Sequence, residues 1–395
     1  MLLPNGAMFI IDRLSNHGER ADAVGGCVRD YLLGKPSDDY DITTSATPGR
    51  IEEIFSDCRL VETGIKHGTV TIVLSDGRYE VTTYRRDGEY LDNRHPASVT
   101  FTDKLSDDLS RRDFTINAMC YNPRDGFTDL YGGREDLSGG LIRAVGDPRK
   151  RFTEDALRIM RAVRFASTLD FSLDEPTDGA ARALAPLLAN ISRERIYVEW
   201  HKLLSGKAAF RILTAYPEVI AIAIPELKEL RMPNEERFLD ADYLTRLLSI
   251  FYLSTPTPVS SYTSAMRSLK TDNAIRTLGE TVLEHYNGKP ISTESDALLL
   301  LSECGEVASE AIIRLGILLG DYDKNALSTL EAALHSGRPY KLSHLAIDGN
   351  DLASIGIRGR EIGNVLAALL RCVISERCEN SKDTLLVCAK KMRLE

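Results

Sequence analysis

Residues 25–30 read Gly-Gly-Cys-Val-Arg-Asp and residues 38–43 read Asp-Asp-Tyr-Asp-Ile-Thr, and the rest of the fold is organised around these two segments. Two adjacent glycines after a short apolar stretch predict a tight turn from a strand into a helix. Backbone N–H groups in such a turn can approach a polyphosphate because no Cβ stands in the way. The helix is expected to run from Cys27 to Leu33 and to direct its positive N-terminal end to the same place. The first segment therefore predicts a phosphate-binding turn.

The second segment predicts a metal site. Between the glycines and the acids, the chain should form the helix and then a turn at residues 34–36. The acids should then lie on a strand. Asp39 and Asp41 are two residues apart, so on a strand both carboxylates would point to one face. Such oxygen ligands suit Mg²⁺, which completes its coordination with water and substrate phosphates. Paired glycines alone are common in turns, and acidic stretches alone are usually solvated loops. Together, in this order and spacing, they resemble the nucleotidyltransferase superfamily that includes DNA polymerase β.

Length and composition restrict the class of protein. The chain has 395 residues, of which 43% are hydrophobic, enough for two to four globular domains. No apolar run reaches the length of about 18 residues that a membrane span needs. The N-terminus shows no signal-peptide pattern, and seven scattered cysteines without a Cys-x-x-Cys pair fit a reducing compartment. We therefore expect a cytoplasmic protein.

The charge distribution points to a polyanionic partner held at particular places. A net charge of −9 argues against indiscriminate coating of nucleic acid. Residues 136–165 nevertheless carry seven Arg or Lys against four Asp or Glu, and residues 336–395 carry ten against seven. A polyanion could bind at these two separated segments. For the C-terminal segment, a chance fluctuation of surface charge is an equally plain explanation.

Residues 111–119, Arg-Arg-Asp-Phe-Thr-Ile-Asn-Ala-Met, place two guanidinium groups beside an acid and an amide. Arginine forks fit phosphate and ribose oxygens in a bidentate manner, and the neighbouring acid can orient the fork. Structural ion pairing at a helix end is the alternative, and the motif alone does not separate the two.

A long helix is expected from Thr153, as N-cap, to Ser167. Asp155 and Arg158 are three apart, so on this helix they would share a face, and Arg161 and Arg164 would continue the same ridge. Cytosine and adenine each carry an exocyclic amine next to a ring-nitrogen acceptor. An Asp accepting from the amine and an Arg donating to the ring nitrogen would select C or A over U or G. An intrahelical ion pair is the alternative, and the helix alone supports both equally.

Further helices are expected at residues 177–189, 193–205, 207–215, 237–252 and 308–320, with a linker at residues 254–261. In the first part of the chain, residues 69–74 predict a strand that turns at residues 75–78 into a second strand. Glu80 on this second strand would lie one strand away from Asp39 and Asp41. By itself, a glutamate on a strand more often faces solvent.

These segments resemble the class II tRNA nucleotidyltransferases, which comprise bacterial CCA-adding enzymes and their poly(A) polymerase relatives. The resemblance is specific over residues 20–205 and loose beyond. It implies an α+β fold, with a polymerase-β-like catalytic head at residues 1–136 and a helical neck, body and tail at residues 137–205, 206–300 and 301–395. The matching motifs are residues 25–30, 39–41, 111–118, 129–133, 154–158 and 192–195.

The resemblance also implies roles for single residues. The residues that match Asp39 and Asp41 bind two magnesium ions in the family, and the residue that matches Glu80 completes the acidic set. Residues 193–195 match a helix that braces the base-reading pair. The residues that match family positions holding the nucleotide, or lying close to the base it carries, are Gly26, Arg29, Arg112, Asp155, Arg158, Arg161 and Arg164.

The implied activity is addition of CCA to the 3′ end of tRNA from CTP and ATP, with no membrane or DNA partner. Residues 84–100 resemble the loop that lets the family's pocket switch from C to A, which speaks against CC-only addition. A-only addition and poly(A) synthesis remain alternatives, although the short and mildly basic C-terminus favours tRNA. A catalytically dead RNA-binding module and transfer to a small molecule are more distant alternatives. Residues 345–363 predict two helices around a glycine-rich turn, which either contacts the tRNA elbow or is a hairpin without a ligand.

Overall fold

The structure, a computed structural model, describes residues 1–62, 64–88 and 98–392. The chain forms two compact units, Met1–Lys228 and Glu229–Glu395. The finer division into head, neck, body and tail stays a prediction. Within the described residues, no helix combines the length and the apolar character that crossing a lipid bilayer requires.

The first unit is built on a mixed β-sheet. Its strands along the chain are β1 (Ala21–Val24), β2 (Asp41–Thr44), β3 (Arg59–Val61), β4 (Thr69–Leu74), β5 (Gly77–Thr83), β6 (Arg85–Asp87), β7 (Val99–Phe101), β8 (Met119–Asn122), β9 (Gly126–Asp129), β10 (Leu141–Ile142) and β11 (Ser172–Leu173). Seven of these described strands form one sheet in the order β3-β4-β5-β2-β1-β8-β9, while β6 pairs with β7 and β10 with β11. Strands β2 and β5 are parallel, with Ile42 opposite Val81.

Helices cover the sheet and continue beyond it. In the first unit they are α1 (Asn5–Asn16), α2 (Gly26–Leu32), α3 (Pro48–Ile54), α4 (Leu105–Ser110), α5 (Gly133–Gly139), α6 (Pro148–Glu154), α7 (Leu157–Leu169), α8 (Glu175–Leu184), α9 (Arg193–Leu204), α10 (Ala209–Ala215) and α11 (Pro217–Ala223). Strands and helices alternate up to β9, and helices dominate after it. The predicted change from an α/β head to helical structure is confirmed.

The predicted β-hairpin and the glycine turn are confirmed at the level of single residues. Strands β4 and β5 pair antiparallel from Thr69–Thr82 to Leu74–Gly77. Tyr79 and Val81 are buried while Glu80 is exposed, as the two-residue alternation predicts. The strand predicted to carry both acids is shorter than expected, because β2 begins at Asp41 and Asp39 precedes it.

The single helix predicted from Thr153 to Ser167 is wrong. Helix α6 starts earlier, with Asp147 as N-cap accepting from the Arg149 backbone N–H and Pro148 in its first turn. It ends at Asp155, whose φ of −137° and ψ of 102° are extended. Asp155 then accepts a hydrogen bond from the Leu157 N–H at 3.1 Å, which starts helix α7. Asp155 is therefore in the break between two helices, and Thr153 is a helical residue.

Helix α7 is buried along the predicted apolar stripe. Ala156, Ile159, Val163 and Ala166 have no exposed surface. Burying such aliphatic side chains is worth about 1.5–3 kcal/mol for each large one, so this stripe anchors the helix in the unit. The polar residues of α7 are consequently held in place on the remaining faces.

The second unit, Glu229–Glu395, is helical in the residues that the structure describes. Its helices are α12 (Glu235–Asp240), α13 (Tyr243–Ser254), α14 (Pro258–Ser268), α15 (Asn273–His285), α16 (Glu294–Leu319), α17 (Asn325–His335), α18 (Gly349–Ser354), α19 (Arg360–Ile374) and α20 (Lys382–Met392). Helix α16 is interrupted at Gly305, where φ is +75°.

Two predictions in this unit are wrong. The helix expected at residues 237–252 is divided, because Ala241 is extended and Asp242 caps a new helix by accepting from the Thr245 N–H. The linker expected at residues 254–261 is cut short by α14, which begins with Pro258 in its first turn, a favourable position for proline. The two tail helices around a glycine-rich turn are confirmed as α18 and α19, although the first begins only at Gly349.

Candidate active site

The glycine turn needs glycine for its backbone and for the space beside it. Gly25 has a φ of +79° and precedes α2, which Gly26 begins. A Cβ at Gly25 would lie 3.2 Å from Nη1 of Arg112, tighter than an ordinary contact. A side chain at this position would therefore be strained and would crowd the arginine.

Arg29 on α2 is held beside the turn by several partners. Its Nε and Nη2 donate to the two carboxylate oxygens of Asp30 at 2.9 and 2.8 Å. Its Nη1 donates to Oδ1 of Asn117 at 2.7 Å. Its guanidinium carbon also lies 5.1 Å from the ring centre of Phe165. These contacts fix the cation close to the glycine turn.

Asp108 is a buried acid that the sequence analysis missed, and it orients both arginines of the Arg-Arg-Asp motif. It has no exposed surface, and it accepts from Arg111 at 2.7 Å, from Arg112 at 3.2 Å and from the Thr43 hydroxyl at 3.1 Å. Burial alone would raise the pKa of Asp108, but Arg112 and Arg111 outweigh it and hold the pKa below its usual range. The acid precedes the arginines by three and four residues, a spacing that could have revealed it.

One N–H donor of Arg112 is not used by the hydrogen bonds within the described residues. Its Nε is buried and has no hydrogen-bond partner among the described residues. A buried N–H without a partner is costly unless a ligand or water satisfies it. Structural ion pairing, the alternative considered for this motif, is thus present at Asp108, but it does not use all of Arg112.

The predicted acidic residues lie on neighbouring elements. Asp41 is the first residue of β2, Asp39 precedes it, and Glu80 lies on the adjacent strand β5. Burial raises the pKa of Asp41 to about 6, with Asp39 and Glu80 also raising it and Arg112 lowering it. Asp41 therefore experiences the charge of both other acids and of the arginine next to the glycine turn.

These acids fit a cation that takes few protein ligands. No group of three or more His, Cys, Asp or Glu is arranged as a metal site within residues 1–62, 64–88 and 98–392. Burial is the main cause of the raised pKa of Asp41, and the charges of Asp39 and Glu80 add to it, so a cation beside these carboxylates would stabilise their ionised form. Two carboxylates with substrate phosphates are enough for Mg²⁺, whereas an all-protein cage is unusual for it.

A cavity of about 270 Å³ lies where the Arg-Arg-Asp motif meets the break between α6 and α7. Cations dominate its wall, and two carboxylates interrupt them. The cavity is lined by Arg111, Arg112, Asp113, Asp155, Leu157, Arg158, Arg161 and Arg195.

Asp155 and Arg158 line this cavity without pairing with each other in the described contacts. Asp155 accepts from Arg195 of α9 at 2.8 Å. Arg158 pairs with Glu154 at 3.2 Å and donates to the backbone carbonyl of Arg111 at 2.6 Å. The intrahelical pair considered as the alternative is therefore not what holds these residues. Each is oriented by a different neighbour, which leaves an acceptor and a donor on one cavity wall.

The remaining arginines of α7 are bound to buried acids. Arg161 donates to Asp113 at 2.7 Å, and Arg164 donates to Glu199 of α9 at 2.8 Å. Burial opposes ionisation of Asp113, but Arg161 and Asn117 outweigh it and hold its pKa below the usual range. Arg164 also lies 3.4 Å from the ring centre of Phe165. Arg164 is not among the residues lining the cavity.

The sequence-predicted site residues other than Arg164 fall into three groups. Arg112, Asp155, Arg158 and Arg161 line one cavity. Gly26 and Arg29 lie on α2, directly after Gly25, where an added Cβ would be 3.2 Å from Nη1 of Arg112. The third group consists of the acids Asp39, Asp41 and Glu80. Asn117 is the amide of the Arg-Arg-Asp motif noted from the sequence, whereas Glu199 was missed, because a buried acid far away in sequence has no local signal.

The switching loop predicted at residues 84–100 is described only at its two ends. Strand β6 pairs with β7, with Arg85 opposite Phe101. Residues 89–97 lie outside the described residues. At the described end, Arg86 pairs with Asp107 at 2.8 Å, and Asp87 is 3.9 Å from Arg111.

Two sequence families match this chain. The first, described as "Poly A polymerase head domain", matches residues 22–143. The second, described as "Probable RNA and SrmB- binding site of polymerase A", matches residues 170–228. The two matches together cover the glycine turn, the acids, the Arg-Arg-Asp motif and helix α9.

Full-length relatives are similar as well. The CCA-adding enzyme of Lactobacillus helveticus is 38% identical over 387 residues, covering 96% of this chain and 95% of the relative. The CCA-adding enzyme of Enterococcus faecalis is 37% identical, covering 97% and 95%. The crystal structure of the Bacillus stearothermophilus CCA-adding enzyme in complex with CTP is 30% identical, with a TM-score of 0.78 over 98% of this chain and 96% of that one.

Proposed function

Because this chain belongs to the CCA-adding enzyme family, we propose that it adds CCA to the 3′ ends of tRNA from CTP and ATP, in the cytoplasm and without a nucleic-acid template. The observation that carries the proposal is the position of Arg112. It lines the cavity that contains Asp155 and Arg158, its Nη1 lies beside the glycine turn, where a Cβ on Gly25 would come within 3.2 Å, and its charge acts on Asp41. Arg112 therefore lies between the cavity proposed to select the base, the turn proposed to bind phosphate, and the acids Asp39 and Asp41.

The triphosphate is proposed to bind between the glycine turn and two cations. The backbone at Gly25 and Gly26 is open to a close approach, and Arg29 and Arg112 are held in place by Asp30, Asn117 and Asp108. Guanidinium groups that are oriented before binding lose little freedom when they contact phosphate. The unpartnered Nε of Arg112 supplies a donor for that contact.

The base is proposed to be read by Asp155 and Arg158. A carboxylate that accepts from an exocyclic amine, with a guanidinium donating to the adjacent ring nitrogen, suits cytosine and adenine. Uracil and guanine would present a carbonyl to the carboxylate, which is unfavourable. Arg195 holds Asp155 and the Arg111 carbonyl holds Arg158, so the two groups are positioned by the protein and not by a template strand.

The polymerase-type nucleotidyltransferase fold implies a divalent metal, and we propose Mg²⁺ held by Asp39 and Asp41, with Glu80 adding negative charge. When bound, Mg²⁺ lowers the pKa of the RNA 3′-hydroxyl and neutralises phosphate charge. The 3′ oxygen forms a bond to the α-phosphorus as the bond to pyrophosphate breaks. Arg29 and Arg112 stabilise the negative charge that develops on the leaving pyrophosphate.

Product sequencing tests this proposal. Transcripts of one tRNA that end before the first C, before the terminal A, or with complete CCA are incubated with all four nucleoside triphosphates and Mg²⁺. CCA addition predicts C, C and A on the first transcript, A alone on the second and nothing on the third. Extension of only the second would instead identify an A-only enzyme, and long A tracts on all three a poly(A) polymerase. No pyrophosphate release would identify an RNA-binding protein without activity.

Asp155→Asn is expected to relax base selection more than it slows transfer. The amide replaces an acceptor-only group, so selection of CTP over UTP should fall about tenfold to a hundredfold, the value of one hydrogen bond to a charged group. The measurement is kcat/KM for each nucleotide with a tRNA that lacks CCA. Asp170→Asn is the matched control, because Asp170 is an exposed acid just after the same helix, paired with Arg211 at 2.9 Å. Unchanged selectivity in Asp155→Asn would contradict the proposal that this side chain selects the base.

Asn117→Ala is expected to raise the KM for nucleotide about tenfold, as expected for one lost hydrogen bond. Asn117 accepts from Arg29 and donates to Asp113 at 3.1 Å, so it connects the phosphate turn to the cavity. Asn122→Ala is the matched control, since Asn122 is equally buried but binds the backbone carbonyl of Ala21. Both variants should lower the free energy of unfolding. Only the first should change KM, and equal KM values in the two variants would contradict this role.

A further inference from the structure

Three guanidinium groups surround the ring of Phe165, a residue of α7 that has no part in the proposed chemistry. The guanidinium carbon of Arg164 lies 3.4 Å from the ring centre, that of Arg29 5.1 Å and that of Arg161 5.4 Å. Arg161 and Arg164 belong to α7 itself, whereas Arg29 belongs to α2, the helix that follows the glycine turn. The ring is therefore a contact between the helix of the glycine turn and the helix that lines the cavity.

The ring of Phe165 has a fixed place in the core. It is buried, and it packs edge-on against the fully buried ring of Phe114, with the ring centres 5.8 Å apart and the planes at 81°. The face of an aromatic ring carries negative charge density that attracts cations, and this attraction is stronger where water is excluded. A buried ring that cannot tilt away is consequently a firm support for the guanidinium groups around it.

A chain of hydrogen bonds joins two of these arginines beside the ring. Arg29 donates to Asn117 at 2.7 Å, and Asn117 donates to Asp113 at 3.1 Å. Asp113 also accepts from Arg161 at 2.7 Å. A chain of four side chains can bend at each link, but both of its ends lie against Phe165. The ring thereby sets the separation between the cation next to the glycine turn and the cation in the cavity wall.

The third arginine lies on the ring with a buried acid beside it. Glu199 of α9 accepts from Arg164 at 2.8 Å and lies 3.8 Å from Arg161. Glu199 and Arg164 are both buried. An aliphatic side chain in place of Phe165 would fill part of the same space, but it would offer no charge density to the three cations. The aromatic character of this residue is therefore part of the arrangement.

We propose that Phe165 is a positioning residue for nucleotide binding, because its ring holds Arg29 and Arg161 at the separation that the triphosphate and the base require. The inference rests on the proposed function, in which Arg29 binds the triphosphate and Arg161 lines the cavity for the base. Phe165 is not among the residues that line this cavity. It acts through the two arginines and not by touching the nucleotide.

Fluorination of this one ring tests the proposal with little change of shape. Fluorine draws electron density from the ring face and so weakens its attraction for cations. Phenylalanine with one, two or three ring fluorines is introduced at position 165 of the full chain by nonsense suppression. KM for CTP and for ATP should rise stepwise, by about threefold to tenfold at three fluorines, which is the order expected for weakened cation–π contacts. The value of kcat should change less, because the acids are untouched.

A second buried phenylalanine provides the matched control. Phe55 is fully buried in the same unit, and its ring centre lies 5.1 Å from the guanidinium carbon of Arg13, which pairs with Asp57. Phe165→Leu should raise both KM values at least as much as three fluorines do, whereas Phe55→Leu and fluorination at position 55 should leave them unchanged. KM values that do not follow the number of fluorines at position 165, or that rise equally at position 55, would overturn the proposal.

NMR of the arginine side chains separates this inference from the proposed activity. In Phe165→Leu without nucleotide, the Nε–H groups of Arg29 and Arg161 should have lower order parameters than in the unmodified chain, and that of Arg13 should not change. Unchanged order at Arg29 and Arg161 would overturn the positioning role, whether or not the chain adds nucleotides. If the unmodified chain added no nucleotide, the proposed function would fail, and the NMR comparison would still decide whether Phe165 positions the two arginines.

Discussion

Replacing Asp41 by alanine is expected to lower kcat/KM for nucleotide addition by about a thousandfold or more while the chain stays folded. The size of this decrease in kcat/KM follows from the loss of a group that stabilises charge in the transition state. Such a group contributes several kcal/mol. Asp41 begins β2 near Asp39 and Glu80, and burial, with the charges of these two acids added to it, raises its pKa. The measurement is incorporation of labelled CMP and AMP into tRNA at saturating Mg²⁺.

The folding of Asp41→Ala can be checked independently. A raised pKa means that the ionised acid is less favourable in the folded chain than in the unfolded chain. At neutral pH its removal should therefore not lower the free energy of unfolding. Mg²⁺ with CTP should raise the melting temperature of the unmodified chain more than that of the variant. Asp38→Ala is the control, because Asp38 is an exposed acid next to the pair. Turnover unchanged in Asp41→Ala, or lost equally in Asp38→Ala, would contradict the assignment.

Asp108→Ala is expected to lower the free energy of unfolding by about 3–5 kcal/mol, the usual loss when one partner of a buried ion pair is removed. Asp108 has no exposed surface and compensates Arg111 and Arg112 together. Without it, two guanidinium groups beside the cavity lose their common acceptor, and KM for nucleotide should rise because Arg112 is no longer oriented. Chemical denaturation followed by fluorescence of Trp200, which lies in the same unit, measures the first effect.

The neighbouring acid provides the control for Asp108. Asp107 pairs with Arg86, whose side chain is 60% exposed, and accepts from the Thr102 hydroxyl at 2.8 Å. An ion pair with an exposed partner contributes less than about 1 kcal/mol, so Asp107→Ala should lower the free energy of unfolding much less than Asp108→Ala. Asp108→Asn, which keeps the size and one acceptor oxygen, should fall between the two alanine variants in stability. If Asp107→Ala and Asp108→Ala lowered the free energy of unfolding equally, the burial of Asp108 and its pairing with two arginines would not explain its contribution to stability.

Local patterns predicted the parts of the site that depend on adjacent residues. The glycine turn, the hairpin of β4 and β5, and the buried stripe of α7 follow from backbone conformation and residue alternation within a few positions. The earlier start of α6 has a local signal, Asp147 followed by Pro148, but the apolar periodicity across residues 153–167 favoured a single helix and obscured the break at Asp155. Helix boundaries set by caps are for this reason less secure than the helices themselves.

The amino-acid sequence by itself determined the glycine turn, the order of the acids and arginines, and the change from α/β to helical structure, because these depend on spacing along one strand or helix. The tertiary structure decided which acid forms an ion pair with which arginine. Asp155 meets Arg195, Asp113 meets Arg161, and Arg164 meets Glu199, up to 48 residues away. Such pairings depend on how α7 and α9 pack, and nothing in the spacing of a single segment specifies that packing. The orientation of Asp155 and Arg158, the pair proposed to read the base, therefore arises only in the folded unit.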